Sequence, residues 1–559
     1  MCGIAGIISL DPSLTNEDRL RQMANALAHR GPDGEGVWIN PAGRVGFGHR
    51  RLAIIDLSPA AGQPMHFRQR YTIVYNGEIY NYIELKESLA KKGYSFQTSS
   101  DTEVLLAAFD CYREKCLELL DGMFAFSIWD EQEQCLFAAR DRFGEKPFYY
   151  SFSDNELCFA SERKGLWAAG IPKKTNNPLL LNYLALGHTD TPIDKTITYF
   201  QDVYSLPPAH YITCSLNTSI EMSMHCYWDL NKAEQIEMKE ERAIEKFHDL
   251  FQTSLQRRLR SDVSIGTSLS GGIDSSTILA SIAREKNKNG FPINSHDFFS
   301  FSAIFPGFAK DESHFIDIAS GKFGVKNLKV EPTVEGLIQD IRKLCYFQEE
   351  PFSSSSIYAQ YRVFELAATH KTKVLLDGQG SDEVLAGYSK YIHWFLQELL
   401  RSKFLAFWKE KNNLTQNSIE FKWGIKNYAA AYFPLQASRQ LERKEANKSQ
   451  KNQDITEAFK EAWFDRQSLY KPIVFSLNDI LYFNTCQSGL DELLRYADRN
   501  SMAHGREVRL PFLNHELVEF IFSLPSSFKI HAGWTKYLLR KCMQSELPDQ
   551  IVWRKDKIG

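Results

Sequence analysis

The chain opens Met1-Cys2-Gly3-Ile4-Ala5-Gly6-Ile7, and the cysteine in second position constrains it more than any other residue. If Met1 is removed, Cys2 carries a thiol and a free α-amino group on one residue, a nucleophile and a candidate base together. The reference pKa of an α-amine is about 7.7–8.0 and that of a thiol about 8.5, so either exchanges a proton near neutrality. An N-terminal amine activates a threonine hydroxyl by the same logic. The run Gly3–Leu10 that follows reads as a strand. Whatever the chain folds into, its first strand would then carry the reactive group. The plainer reading is that any residue can follow Met, and Cys2 alone does not decide between the two.

The 559 residues exceed one domain at about 150 residues each and imply two large ones. Residues 1 to 205 hold short β-like runs between glycine and proline turns, among them Val45–His49, Tyr71–Tyr75, Ala125–Trp129, Leu136–Ala139 and Phe148–Phe152. Amphipathic stretches at Glu17–Leu27 and Tyr82–Lys91 lie between them, so the first unit is expected to be a layered α+β sandwich. A composition shift at Leu206-Pro207-Pro208 and the polar run Asn231–Glu241 mark 206–239 as a linker. From 240 to 559, helical periodicity dominates around strand candidates at Val263–Leu269, Phe298–Phe305 and Val374–Leu376, which implies an α/β parallel sheet with many helices. The polar run Arg439–Asp454 has no apolar stripe and reads as a solvated loop or frayed helix.

A net charge of −3 argues against broad attraction to nucleic acid or an anionic membrane surface. The 10 cysteines form no C-x-x-C pair and no zinc spacing, so most read as small buried apolar residues in a reducing compartment. No secretory pattern opens the chain, and no run approaches the ~18 apolar residues of a membrane span. The expected setting is the cytoplasm, and the expected partners are small molecules.

Ser270-Gly271-Gly272-Ile273-Asp274-Ser275-Ser276 follows a strand candidate and opens the helical run Thr277–Lys286. A strand, a glycine-rich turn and a helix present backbone N–H groups to an anion, and the serines add hydroxyl donors. Asp274 in such a loop is unfavourable unless a cation accompanies the anion, which makes Mg²⁺ the natural companion. The loop is not a Walker motif, and a serine-capped glycine turn remains the structural alternative. A second loop, Leu375-Leu376-Asp377-Gly378-Gln379-Gly380-Ser381-Asp382-Glu383, has the same setting. Loops at the carboxyl ends of parallel strands converge on one crevice, which would give a metal the carboxylates of Asp274 and Asp382. The alternative is that Ser381-Asp382-Glu383 only caps a helix.

Ten segments in order resemble the glutamine-hydrolysing asparagine synthetase family, a class II glutamine amidotransferase domain joined to an adenylating synthetase domain. They are Met1–Gly6, His29–Asp33, Arg51–Asp56, Tyr75–Asn81, Ser100-Asp101, Gly122–Phe126, Arg140–Gly144, the serine-glycine loop, and Gly378–Tyr388 with Arg506–Leu513 closing the series. The resemblance implies an N-terminal-nucleophile fold for the first half and an ATP-pyrophosphatase-type fold for the second. It gives Cys2 the attack on the glutamine amide, and Asn76 with the Gly77 N–H the oxyanion hole. Arg51 would pair with the substrate carboxylate, Ile55 would line the glutamine pocket, and Asp101 with Glu78 would accept from its ammonium. Read without the resemblance, Asn76-Gly77 between strand-like runs is a hairpin turn.

For the second half the resemblance implies an ATP and pyrophosphate site at Ser268, Ser270, Gly271, Gly272, Asp274, Ser275, Ser276, Ala303, Asp377 and Gly378. A lysine of the basic segment Trp553–Gly559 would touch phosphate, and Lys557 is assigned that place. ATP and Mg²⁺ would support adenylation of a carboxylate, aspartate by default, followed by attack of ammonia that has crossed between two sites. A homodimer is compatible with this reading. The chain departs from the family at Gln379, where a glutamate commonly assists at the acyl-adenylate, since a glutamine orients groups but takes no proton. It also has Ser353-Ser354-Ser355-Ser356 where some members carry an arginine. Both departures leave room for another acceptor, for example a uronic acid.

Overall fold

The computed structural model describes residues 2–286 and 298–555. Twelve strands build the first part: β1 (Gly3–Ser9), β2 (Gly34–Ile39), β3 (Val45–Arg51), β4 (Met65–Phe67), β5 (Tyr71–Ile79), β6 (Gly122–Asp130), β7 (Cys135–Arg140), β8 (Tyr149–Phe152), β9 (Glu156–Ala160), β10 (Tyr204–Ser205), β11 (His210–Leu216) and β12 (Ile220–Cys226). They form two six-stranded sheets, ordered β10-β8-β9-β1-β3-β2 and β12-β11-β7-β6-β5-β4. β1 lies between β3 and β9, antiparallel to both, and every residue of it is buried.

The two-residue period of β1 explains its place. Ile4 and Ile8 join Val74, Trp129 and Ile212 in the apolar layer between the sheets. Ala5 and Ile7 pack on Leu20, Met23 and Leu166 of the helices Glu17–Ala26 and Arg163–Ala168. The far face of the second sheet buries Ile73, Tyr75, Phe124 and Phe126 against the helices Tyr82–Ala90 and Asp101–Tyr112. The result is a four-layer sandwich of helices, sheet, sheet and helices. A Cβ on Gly6 would stand 2.2 Å from the Phe159 ring, so cross-strand packing requires glycine there.

The second part is built on a five-stranded sheet in which every pair is parallel. Its strands are β13 (Ile265–Ser268), β14 (Phe299–Ala303), β15 (Lys326–Val330), β16 (Val374–Leu376) and β17 (Glu507–Arg509), ordered β15-β14-β13-β16-β17. The chain moves outward from β13 to β15 and then returns to the other side of β13. That reversal puts a crevice at the carboxyl ends of β13 and β16. A single large core joins this sheet to its helices and reaches Leu52, Ile54, Tyr80 and Met123 of the first part. The layered α+β sandwich followed by an α/β parallel sheet is the fold class implied by the sequence.

Two segments differ from expectation. Residues 206–239 were expected as a linker, yet β11 and β12 fall within them and extend the second sheet, β11 pairing with β7. Their alternation is visible in the burial of Ile212, Cys214 and Leu216 between more exposed neighbours. The polar run at 439–454 is mostly helix, Pro434–Gln450, because it is rich in residues that propagate a helix and starts with proline in the first turn. Among the described residues no helix is long and apolar enough to cross a membrane.

Candidate functional site

Cys2 sits just before β1 and is 7% exposed. Its backbone N–H donates to Asn76 Oδ1 at 2.9 Å, and its thiol faces the Leu52 carbonyl at 3.9 Å. Burial pushes the thiol pKa up, so forming the thiolate needs a base or a stabilising charge. Asn76 and Gly77 lie inside β5, opposite Ala125 and Phe124 of β6, and are not a hairpin turn. The turn reading failed because the neighbouring glycine serves another purpose: a Cβ on Gly77 would stand 2.1 Å from the Met123 carbonyl. Asn76 Nδ2 is buried without a hydrogen-bond partner among the described residues, a donor available to a ligand oxygen.

Around this pair the structure gathers the other expected residues unevenly. Asp101 opens its helix and accepts from the Tyr75 hydroxyl and the Ile79 N–H, both at 2.9 Å, while burial raises its pKa. Glu78 is buried, and burial, together with Glu507 and Asp101, lifts its pKa well above the ordinary glutamate range. Ile55 is half-buried against the shared core. Arg51 is turned onto the loop that follows it, donating to the carbonyls of Ser58 at 2.8 Å and of Asp56.

Arg30, inside the segment His29–Asp33, braces this site at the start of β1. It is fully buried and donates from Nε to the Cys2 carbonyl at 3.0 Å. Its other nitrogens reach Glu162 at 2.7 Å and Asp498 at 2.8 and 2.9 Å. Asp498 belongs to the helix Leu490–Met502 of the second part, and no periodicity or spacing in the sequence pairs residues 468 positions apart.

The second site is a cavity of about 470 Å³ at the ends of β13 and β16. Ser268, Ser270, Gly272, Asp274, Ser275, Ala303, Asp377, Gly378, Gln379 and Asp382 all line it. Gly271 and Ser276 do not. Gly271 takes φ +73° where a Cβ would meet the Ile316 backbone at 2.8 Å, so it shapes the turn, and Ser276 is fully buried behind it. The two loops touch: a Cβ on Gly378 would lie 2.9 Å from that of Asp274. Lys557 lies outside the described residues.

Asp274 and Asp382 converge on a residue the sequence reading did not single out. The ammonium of Lys536 lies 2.5 Å from Asp274 and 2.8 Å from Asp382, and Ser381 donates to the other Asp274 oxygen at 2.8 Å. Burial alone would lower the Lys536 pKa; the two carboxylates outweigh it and raise it. Lys536 is 1% exposed and has φ +53°, a rare backbone state for a side chain of its size. Arg540, one turn on, also lines the cavity. Two carboxylates with phosphate oxygens completing the shell are what Mg²⁺ takes beside a nucleotide, so Asp274 and Asp382 fit that ion as a pair. Among the described residues no third acidic, His or Cys side chain joins them.

Ser353 to Ser356 are exposed and do not line the cavity: Ser353 Oγ bonds Glu492, and Ser354 bonds Ser356. This side of the cavity is lined instead by Ala359, Gln360 and Val363 of the helix Ser356–Thr369, with Gln379 and the pair Tyr388–Glu383, joined at 2.7 Å. Gln379 Oε1 is buried without a hydrogen-bond partner among the described residues.

Known proteins match both halves. The family model for a glutamine amidotransferase domain matches residues 1–228, and that for asparagine synthase matches 246–559. Asparagine synthetase [glutamine-hydrolyzing] 1 of Bacillus subtilis (strain 168) is 31% identical over 588 residues, spanning 100% of this chain and 86% of its own. Asparagine synthetase [glutamine-hydrolyzing] 3 of the same organism is 31% identical over 99% of this chain and 86% of its own. A relative with another name, Amidase chry2 of Gibberella zeae, is 28% identical over 99% of this chain and 87% of its own. With both models in order along the chain and matches over its whole length, this protein belongs to the glutamine-hydrolysing asparagine synthetase family.

Proposed function

We propose that the protein transfers the amide nitrogen of glutamine to a carboxylate that it first activates with ATP, with aspartate as acceptor and asparagine as product. At the first site, with Met1 removed, the Cys2 amine takes the thiol proton and the thiolate attacks the glutamine amide carbon. The oxyanion of the tetrahedral intermediate is met by Asn76 Nδ2 and the Gly77 N–H. The C–N bond breaks, ammonia leaves with the proton, and water later cleaves the thioester to glutamate. Arg51, swung from its loop contacts, pairs with the substrate carboxylate, while Glu78 and Asp101 take the ammonium beside Ile55.

At the second site the acceptor carboxylate attacks the α-phosphorus of ATP and pyrophosphate leaves, giving an acyl-adenylate. Ammonia attacks the acyl carbon and AMP leaves. The serine-glycine loop holds phosphate with Ser268, Ala303, Asp377 and Gly378 about the nucleotide, and Lys557 joins them on the phosphates. Asp274 and Asp382 would hold Mg²⁺, which would neutralise phosphate charge there. Lys536 supplies fixed positive charge at the same place, and Gln379 orients the acyl group. The reading rests above all on one observation, the convergence of Asp274 and Asp382, from the first turns of helices that follow adjacent parallel strands, on the buried ammonium of Lys536.

Gln379 with its unpartnered oxygen, and serines turned away from the cavity, favour a second reading with the same chemistry on a different carboxylate. The test is pyrophosphate release with ATP, Mg²⁺ and glutamine, comparing aspartate with a panel of carboxylic acids. Release dependent on aspartate, with asparagine formed, supports the first reading. Release with another acid alone supports the second, and no release with any acid overturns both.

A further inference from the structure

Arg509, at the end of β17 in the second part, is fully buried. Its Nε donates to Glu507 at 2.6 Å, and one terminal nitrogen donates to the carbonyls of Arg258 and Arg260 at 2.8 and 2.6 Å. The other terminal nitrogen points across the seam to Glu78 of β5 at 3.9 Å. It has no hydrogen-bond partner among the described residues, and neither does Glu78 Oε2. The guanidinium also lies 5.5 Å from the ring of Tyr80, which Arg258 approaches at 4.3 Å. Three buried carboxylates, Glu78, Asp101 and Glu507, thus feel one another, with the Arg509 guanidinium and the N-terminal amine as the positive charges acting on Glu78 and Glu507. Burial and the neighbouring carboxylates raise the Glu78 pKa even with Arg509 beside it, so where its carboxyl oxygens point decides what they can accept from a ligand.

We infer that Arg509 is a positioning residue of the glutamine site, supplied by the synthetase half: it fixes the Glu78 carboxyl group in place, aimed at the α-ammonium of bound glutamine. Its own anchors explain why it can do so from another part of the chain. Three hydrogen bonds fix the guanidinium before any substrate arrives, so the long contact to Glu78 is set by rigid neighbours. The Arg509 carbonyl also accepts from the Asp377 N–H at 3.0 Å, which ties this strand end to the nucleotide loop. The inference rests on the proposed role of Glu78 in holding glutamine.

The test is steady-state glutamine hydrolysis by the full-length enzyme, comparing wild type with Arg509→Met, Arg509→Lys, Glu78→Gln and the double variant Glu78→Gln/Arg509→Met. Arg509→Met should raise KM for glutamine about ten-fold or more while kcat stays within about three-fold, with partial rescue in Arg509→Lys. In the double variant the loss should match that of Glu78→Gln alone, because both changes remove one interaction. An unchanged KM in Arg509→Met, or losses that multiply in the double variant, would overturn the inference. Should Arg509→Met not fold, Glu507→Gln, which loosens the anchor of Arg509, should raise KM about three-fold, and an unchanged KM there overturns it equally. Cys2→Ala separates the two levels of argument. Hydrolysis surviving in Cys2→Ala overturns the reading of the site and this inference with it; hydrolysis abolished there, with KM unmoved in Arg509→Met, overturns this inference alone.

Discussion

Arg30 and Asp498 form a fully buried two-point ion pair across the seam between the halves, with nitrogen–oxygen distances of 2.8 and 2.9 Å. The same guanidinium holds the Cys2 carbonyl, so the start of the chain is braced by a helix of the synthetase half. Asp498 keeps its charge despite burial because Arg30 and Lys146 hold its pKa below the ordinary aspartate value. The amidotransferase geometry is therefore a property of both halves together.

Asp498→Ala should expose that dependence. Removing one partner of a buried pair strands the other charge, at a cost of about 3–5 kcal/mol. The thermal midpoint should fall, and glutamine-dependent synthesis should fall further than synthesis with added ammonia, since Cys2 loses its brace. Equal loss with the two nitrogen sources would show that Asp498 matters only for folding.

Cys2→Ala should abolish glutamine use and leave synthesis with added ammonia. The cavity of the second site is lined without Cys2, whereas hydrolysis as proposed begins with its thiol. Retained glutamine-dependent turnover would remove Cys2 from the mechanism.

Asp274→Asn and Lys536→Met address the other site. Each should cost synthesis about 10²–10³-fold with either nitrogen source, the size expected for removing a preorganised charge from a reacting centre. Glutamine hydrolysis should survive in both. Lys536→Met leaves Asp274 and Asp382 facing each other without their shared cation, so raising Mg²⁺ should recover part of its loss. Unchanged synthesis in either variant would displace the pyrophosphate site from this cavity.

These residues divide by how far they announce themselves in sequence. The serine-glycine loop and Asp377–Glu383 were legible because each sits between an apolar strand run and a helix, a local pattern. Cys2 was legible because its position is chemical information in itself. Lys536 was not: it follows Gly533-Trp534-Thr535 in a short turn, and its meaning comes only from carboxylates more than 150 residues away. Arg30, Asp498 and Arg509 fail for the same reason, since a buried ion pair across a seam leaves no periodic trace in either strand of sequence. The serine run misled in the opposite way, looking like a ligand cradle while serving as an exposed entry to a helix. Asn76-Gly77 misled because strand interiors tolerate glycine only where another backbone comes close, and that approach belongs to the partner strand.

Glu145 gives a prediction in pH. It lies in the turn after β7, its N–H bonded to Asp141 at 2.9 Å, and is 4% exposed. Burial and the charge of Asp141 push its pKa up to about 8 from 4.5, against the pull of Arg258 and Lys146. Between those two values the folded chain keeps a proton that the unfolded chain has released. The folded state then binds more protons, and stability falls as pH rises through the window. Below pH 4.5 both states are protonated and the penalty is absent; above about pH 8 it is complete. Glu145→Gln keeps the shape and does not titrate. Its thermal midpoint should match that of the wild type near pH 4.5 and exceed it increasingly up to about pH 8, by an amount worth at most a few kcal/mol. Midpoints measured at steps across that range would decide the matter: a difference that stays constant, or shrinks toward alkaline pH, would mean that Glu145 is ionised in the folded enzyme and that Arg258 and Lys146 outweigh its burial.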